Sequence, residues 1–278
     1  MECCYGVQER ELDLVLHSPG GSPQAAEQIL EYLRTRFDYI RAIVPLQAKS
    51  AATMIALGCD EILVGDHSEL GPIDPQILVP VPEGSRFAPA HAILRDFERA
   101  KDQCKQDVSS IAAWTPILRS YAGGLIEFCN QAIQLSMELV ASWLERHMLR
   151  HADMNVSENE RRTKAAQIAE WFGSAQSYDR FRTHGRPIRY PELQSIGLRV
   201  RRLEDNEALQ DAVLSILHVN EITFSGGPAA KIIENHDKRR MVIVEQNIAI
   251  QAQPPPQQPT NPGLSRQQRR ALERQRRR

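Results

Sequence analysis

The chain has no dominant charge: 34 Lys and Arg against 35 Asp and Glu leave a formal net charge of −1 over 278 residues. That balance gives no whole-chain bias towards nucleic acid or an anionic membrane. Cysteine is sparse, and Cys3, Cys4, Cys59, Cys104 and Cys129 are odd in number and scattered. They build neither a disulfide framework nor a CxxC metal motif, which points to a reducing, cytoplasmic setting. No uncharged apolar run reaches the roughly eighteen residues of a membrane span. The N-terminus lacks the charged-then-apolar order of a signal peptide, so the chain reads as soluble. No Gly-x-Gly-x-x-Gly follows a strand, and His147, His151, His218 and His236 stand at no metal-ligand spacing from cysteine or carboxylate. No metal or cofactor is expected.

With 42% hydrophobic and 25% charged residues, the chain can bury one sizeable α/β core with a helical extension. Its most informative stretch begins at Leu12-Asp13-Leu14-Val15-Leu16, which has the apolar density of a buried strand. His17-Ser18-Pro19-Gly20-Gly21 stops it abruptly before a helix starting near Pro23. Two glycines let backbone come close to a ligand, and their N–H groups suit a developing oxyanion. Ile40 to Pro45 reads as a second strand, and Ala48 to Gly58 as a tightly packed apolar helix with Ser50 at its N-terminal end. There the helix dipole favours negative charge, and the small Ala48, Ala51 and Ala52 leave room for a carbonyl. The alternative role for Ser50 is a plain helix cap.

Three blocks carry a family resemblance. His17-Ser18-Pro19-Gly20-Gly21-Ser22, the run from Ala48-Lys49-Ser50-Ala51 to Asp60-Glu61-Ile62, and Ser68-Glu69-Leu70-Gly71-Pro72-Ile73-Asp74-Pro75-Gln76 together resemble the serine dehydrogenase proteinase family. That family lies in the Clp protease/crotonase superfamily, with signal peptide peptidase A. Weaker similarity continues through Thr183-His184-Gly185-Arg186-Pro187-Ile188 to about Ile243. The resemblance implies an α/β fold with a ββα-repeat core. Met1 to Glu11 leaves no room for the superfamily's first strand and helix, so that N-terminal unit is expected to be missing, exposing a sheet edge.

By the same resemblance Ser50 is the nucleophile, and the backbone N–H groups of Gly20 or Gly21 and of Ala51 form the oxyanion hole. A serine hydroxyl needs a positioned proton acceptor. Relatives use a lysine some tens of residues downstream, which here brings forward His91 by one alignment and Lys101 by another. Both also fit blander roles: His91 opens an amphipathic stretch, and Lys101 lies on its charged side beside Arg95, Glu98, Arg99 and Asp102. Lys49 adjoins Ser50 but points elsewhere on a helix. The Clp subunit's histidine position falls within Gly71 to Pro75, where there is no histidine. Asp74, between two prolines, suits a turn held by its own backbone bonds, or the orientation of a base. His184, in a Gly and Pro loop, is a further candidate against a plain surface histidine.

Beyond Pro75 the pattern predicts a polar loop over Val79 to Pro89, then helices over Ala90 to Cys104, Leu125 to Arg150, Asn155 to Phe172 with Ser157 and Glu160 as a capping box, Tyr190 to Leu198, and Glu207 to Val219. Ile222-Thr223-Phe224 and Met241 to Val244 read as short strands, with Ala229 to Asn235 helical or part of the hairpin. The organisation is thus a catalytic domain with helical extension over 1–220, a small β-like appendage over 221–246, and a disordered Gln/Pro-rich then Arg-rich tail over 247–278. Arg266, Arg269, Arg270, Arg274, Arg276, Arg277 and Arg278 against Glu273 suit a weak contact with nucleic acid, anionic lipid or an acidic partner.

The function expected is a cytoplasmic serine endopeptidase of the Clp/signal peptide peptidase type, acting on peptide or protein substrates as a homo-oligomer. The alternative is a degenerate, non-catalytic scaffold of the same fold. A crotonase-like acyl-CoA enzyme, using the oxyanion hole without Ser50, ranks third.

Overall fold

The computed structural model describes residues 2–81 and 84–245. The first half alternates strands with helices: β1 (Glu11–Val15), α1 (Pro23–Arg36), β2 (Tyr39–Val44), β3 (Gln47–Ala48), α2 (Ala51–Leu57), β4 (Glu61–Val64) and β5 (Glu69–Leu70). A hairpin of β6 (Gln76–Val81) and β7 (Gly84–Pro89) leads into α3 (Ala90–Gln106), α4 (Ser110–Arg119), α5 (Leu125–Arg146), α6 (Glu158–Gly173), α7 (Ala175–Phe181) and α8 (Tyr190–Ser195). The chain then returns to the sheet with β8 (Val200–Arg202) and continues as α9 (Glu207–Gly226), β9 (Ala229–Glu234) and β10 (Arg240–Val244).

The main sheet is parallel, in the order β1-β2-β4-β8. Its central strands are apolar on both faces because both faces are covered. Ile40, Ala42 and Val44 of β2 and Ile62 and Val64 of β4 pack into one core with Leu30 and Leu33 of α1 and Trp143 and Leu144 of α5. Ile43 and Leu63, pointing the other way, meet Leu203 and Val213. The alternation is that of a strand with period two. The fold is α/β, as the sequence predicts.

A second, shorter ladder runs beside the ends of these strands. Ser18 bridges Ala48 in parallel, Ala48 pairs with Leu70 in parallel, and Leu70 bridges Ile188 in antiparallel sense. The bonds are Ser18 N–H to Gln47 O (3.0 Å), Lys49 N–H to Ser18 O (3.0 Å), and a reciprocal pair between Leu70 and Ile188 (2.9 and 3.0 Å). The glycine turn, Ser50, the Gly71–Gln76 segment and the His184 loop all leave this ladder on the same side. Parallel neighbours continue forward together, and the antiparallel one enters from that side.

At the opposite end of the sheet a buried ionic cluster ties helices to strands. The Arg34 guanidinium pairs with Asp60 (2.6 Å) and donates to Gly58 O (2.7 Å), while Asp60 also accepts from Ile40 N–H (2.8 Å) and meets His151 Nε2 at 2.9 Å.

Several expected elements differ. The loop predicted over Val79 to Pro89 is the β6–β7 hairpin, whose alternation is masked by Pro80, a residue that an edge strand tolerates. Ile222-Thr223-Phe224 lies inside α9, not in a strand. Once a helix is nucleated and capped, here by Asn206, each further residue adds a backbone bond, and this overrides the weak strand preference of β-branched residues. Ala229 to Glu234 is a strand paired with β10. Helices α4 and α7 were not anticipated, and the long helix from Leu125 ends at Arg146, followed by a separate 3₁₀ turn at Met148–Arg150. The capping box of Ser157 and Glu160 is present. The Gln/Pro-rich and Arg-rich tail over 247–278, with its expected acidic or nucleic-acid partner, lies outside the described residues.

Candidate active site

Ser50 is the turn between β3 and α2. Its backbone is at φ 53, ψ −120, a conformation that L-residues rarely adopt, at a cost of order 1–3 kcal/mol. The surroundings enforce it. Lys49 N–H is held by Ser18 O, Lys49 O accepts Ala52 N–H at 2.9 Å, and Thr53 Oγ1 donates to Ala48 O at 2.6 Å. The side chain does not cap α2 and, among the described residues, makes no hydrogen bond. A serine selected as a cap would accept from its own helix. This one instead presents a free hydroxyl on a strained strand-to-helix turn, a conformation that exposes a nucleophile.

The glycine turn lies against it. Gly20 is at φ +110, and a Cβ there would stand 2.8 Å from both Ser50 Cβ and Lys49 O. Gly20 N–H is already used by Ser18 Oγ at 3.1 Å. Gly21 N–H has no partner among the described residues, and a Cβ on Gly21 would meet nothing within 4 Å. Ser22 then caps α1, accepting from Ala25 N–H at 3.3 Å, with Pro23 in the first turn. Ala51 is the first residue of α2, where a backbone N–H has no intrahelical acceptor.

On the other side of Ser50 runs the Gly71–Gln76 segment. Gly71 N–H donates to Thr53 Oγ1 at 3.0 Å, so one buried threonine clamps the helix after Ser50 to this segment. Gly71 carries no side chain because a Cβ would come 2.9 Å from Lys49 Cδ. Lys49 is buried, with Nζ donating to Leu70 O (3.1 Å) and paired with Glu69 (2.8 Å), so its charge is engaged along this strand. Ile73 N–H bonds Phe172 O at 3.2 Å, and Pro75 O accepts Ala90 N–H at 2.9 Å.

Asp74 is buried, and its oxygens go to side chains: Oδ1 meets His184 Nδ1 at 2.7 Å and Oδ2 accepts from Gln76 Nε2 at 2.8 Å. The turn-fixing role predicted for Asp74, through bonds to its own backbone, is not the one its carboxylate plays. His91 is buried too, with Nε2 at 2.9 Å from Gly173 O and its ring 5.7 Å from that of Tyr178. A carbonyl only accepts, so Nε2 carries the proton and Nδ1 the lone pair.

Asp74, His91 and His184 therefore gather around the Gly71–Gln76 segment, which packs on Lys49 and Thr53 on either side of Ser50 in the chain. Lys101 does not join them. It lies ten positions further along α3 than His91, about 15 Å at the rise of an α-helix, and its exposed side chain pairs with Glu98. Thr53, Gln76 and Gly173 were not singled out by the sequence. A lone hydroxyl inside an otherwise apolar helix was the available signal for Thr53. Cys59, at the far end of α2, is no rival nucleophile: burial pushes its thiol up to about 12. Among the described residues, no three His, Cys, Asp or Glu side chains are placed to hold a metal ion, and no helix is long and apolar enough to cross a membrane.

The comparison with family models covers the part of the chain that holds Ser50. Residues 5–115 match the family model of the ClpP-like SDH-type serine proteinases. The chain is 41% identical over 70 residues to one uncharacterized protein of Methanocaldococcus jannaschii and 39% identical over 70 residues to a second. Each match covers 25% of this chain and 24% of the relative, so the chain spans about a quarter of the length of the curated relatives it matches. No solved structure matches. The matched residues contain the glycine turn, Ser50, Asp74 and His91 but not His184. Through residues 5–115 the chain is similar to the ClpP-like SDH-type serine proteinase family.

Proposed function

We propose that the protein is a serine peptidase that cleaves peptide bonds through an acyl-enzyme on Ser50. Ser50 Oγ attacks the substrate carbonyl carbon, and the carbonyl's π pair moves onto oxygen. The N–H groups of Gly21 and Ala51 receive that oxyanion, Gly20 N–H being committed to Ser18. Collapse expels the amine, and water releases the acyl group. One such donor is worth roughly 3–4 kcal/mol of transition-state stabilisation in acyl transfer. Peptides and protein segments are the substrate class, and water suffices as co-reactant.

The observation that carries this reading is the strained, unbonded Ser50 set against Gly20. Backbone strain persists only where the surroundings over-determine it, and such strain gathers at functional sites. A fluorophosphonate probe, which phosphonylates activated serines, tests it directly. The purified chain is expected to label, and Ser50→Ala to lose the label while keeping its circular dichroism spectrum. Labelling that persists in Ser50→Ala would remove Ser50 as the nucleophile. A folded wild type that neither labels nor hydrolyses peptides would leave the scaffold role.

A further inference from the structure

Resting on that peptidase reading, we propose that His184, oriented by Asp74, is the proton acceptor of Ser50. The couple assembles from segments far apart in the chain. Asp74 follows Leu70 by four residues and His184 precedes Ile188 by four, so in the antiparallel bridge of Leu70 with Ile188 they fall opposite each other. The 2.7 Å contact between His184 Nδ1 and Asp74 Oδ1 is that register carried one step further. A tight turn, in which Thr183 O accepts Arg186 N–H (3.2 Å) and Thr183 Oγ1 accepts Gly185 N–H (3.3 Å), fixes the loop that holds the histidine.

The tautomer follows from the partner. A carboxylate accepts, so His184 Nδ1 carries the proton and Nε2 presents its lone pair. Among the described residues Nε2 has no hydrogen-bond partner, as Ser50 Oγ has none. Asp74 is held in turn by Gln76 Nε2, and its burial keeps water from competing for the imidazole. The segment bearing Asp74 passes beside Lys49, the neighbour of Ser50: Gly71 packs on Lys49, its would-be Cβ 3.6 Å from Lys49 Cα, and Asp74 is three residues further on, at most about 10 Å away.

The other candidate bases are committed differently. Lys49 Nζ is spent on Glu69 and Leu70 O, Lys101 pairs with Glu98 on the surface, and His91 has a backbone carbonyl as its partner and no carboxylate. The couple therefore supplies a base with its own orienting acid, the arrangement that activates a serine.

In the reaction, His184 Nε2 takes the proton from Ser50 Oγ as the Oγ–C bond forms. The resulting imidazolium is stabilised by Asp74. When the C–N bond breaks, the same proton passes to the leaving amine. His184 then takes a proton from the attacking water and returns it to Ser50 Oγ as the ester bond breaks. Asp74 acts through the imidazole and is a positioning residue.

The test is the second-order rate of fluorophosphonate labelling against pH, on the full chain. Wild type should gain rate with rising pH along one ionisation that His184→Ala removes. His184→Ala should lose about 10²–10⁴-fold, and added imidazole should restore part of the rate to His184→Gly. Asp74→Asn should lower the rate and displace the ionisation while the folded spectrum is retained. A merely structural histidine would show neither imidazole rescue nor a displaced pH profile. His184→Ala labelling at the wild-type rate, with Ser50→Ala unlabelled, would overturn the couple and leave the peptidase reading standing. So would loss of rate and imidazole rescue confined to His91 variants. Absence of wild-type labelling would overturn the peptidase reading and the couple with it.

Discussion

Gly20 and Ser50 occupy each other's space: a side chain on Gly20 would place its Cβ 2.8 Å from Ser50 Cβ and 2.8 Å from the carbonyl oxygen of Lys49. Both residues are at positive φ, 110 and 53 respectively. The glycine can take that conformation freely and the serine cannot. The strain at Ser50 is thus held in part by a neighbour with no side chain to yield.

This closeness separates the two glycines by experiment. Gly20→Ala is expected to cost about 1–3 kcal/mol for the backbone conformation alone, with the clash adding to it, and to reduce fluorophosphonate labelling at least tenfold. Gly21→Ala, whose Cβ meets nothing within 4 Å, should retain the stability of the parent. Urea unfolding of the two variants side by side checks this, and equal midpoints would contradict the geometry.

The strained serine predicts a trade between stability and activity. Ser50→Gly relaxes φ 53 and should be more stable than Ser50→Ala by about 1 kcal/mol or more, with both variants unlabelled. Thermal unfolding of the pair measures the difference. An alanine variant as stable as the glycine variant would mean that the turn carries no strain.

Thr53 links the helix after Ser50 to the Asp74 segment through Ala48 O and Gly71 N–H. Thr53→Val preserves shape but strands a buried N–H. Leaving such a group unpaired costs roughly 1–3 kcal/mol. The urea midpoint should fall accordingly, and Gly71 N–H should lose protection from hydrogen exchange.

Acid should destabilise the protein in two stages. Burial, with Arg34 nearby, lowers the His147 imidazole from 6.5 to about 4. The unfolded chain takes up that proton near pH 6.5, so between pH 6.5 and 4 it binds more protons than the folded one and stability falls as pH drops. Burial alone would raise the Asp60 carboxyl, but the bonds from Ile40 N–H, His151 and Arg34 outweigh it and hold it below its ordinary 3.8. Its contribution is present above that value and disappears as pH falls through the lower folded one. Urea midpoints at pH 7.5 and 4.5 should differ in wild type and differ less in His147→Leu; an unchanged difference would exclude His147 as the source.

Helices and strands in the first half follow directly from residue order. The β1 strand, its stop at Pro19-Gly20-Gly21, the helix from Pro23 and the small-residue helix after Ser50 are each specified by neighbours a few positions apart. The errors lie where two local preferences compete. Pro80 hides the alternation of the β6–β7 hairpin, and Ile222-Thr223-Phe224 favours a strand on its own but continues an established helix.

The sequence alone brought forward Ser50, through the resemblance of its block, and the glycine turn that precedes it, because each sits at a sharp strand-to-helix junction and such junctions are short-range. Only the tertiary structure decided which groups surround them. Asp74 meets His184 through the register of Leu70 with Ile188, His91 turns to Gly173 O, and Lys49 is absorbed by Glu69 and Leu70 O. Each of these is a pairing between segments distant in the chain, set by strand register and burial, for which no local residue pattern carries a signal.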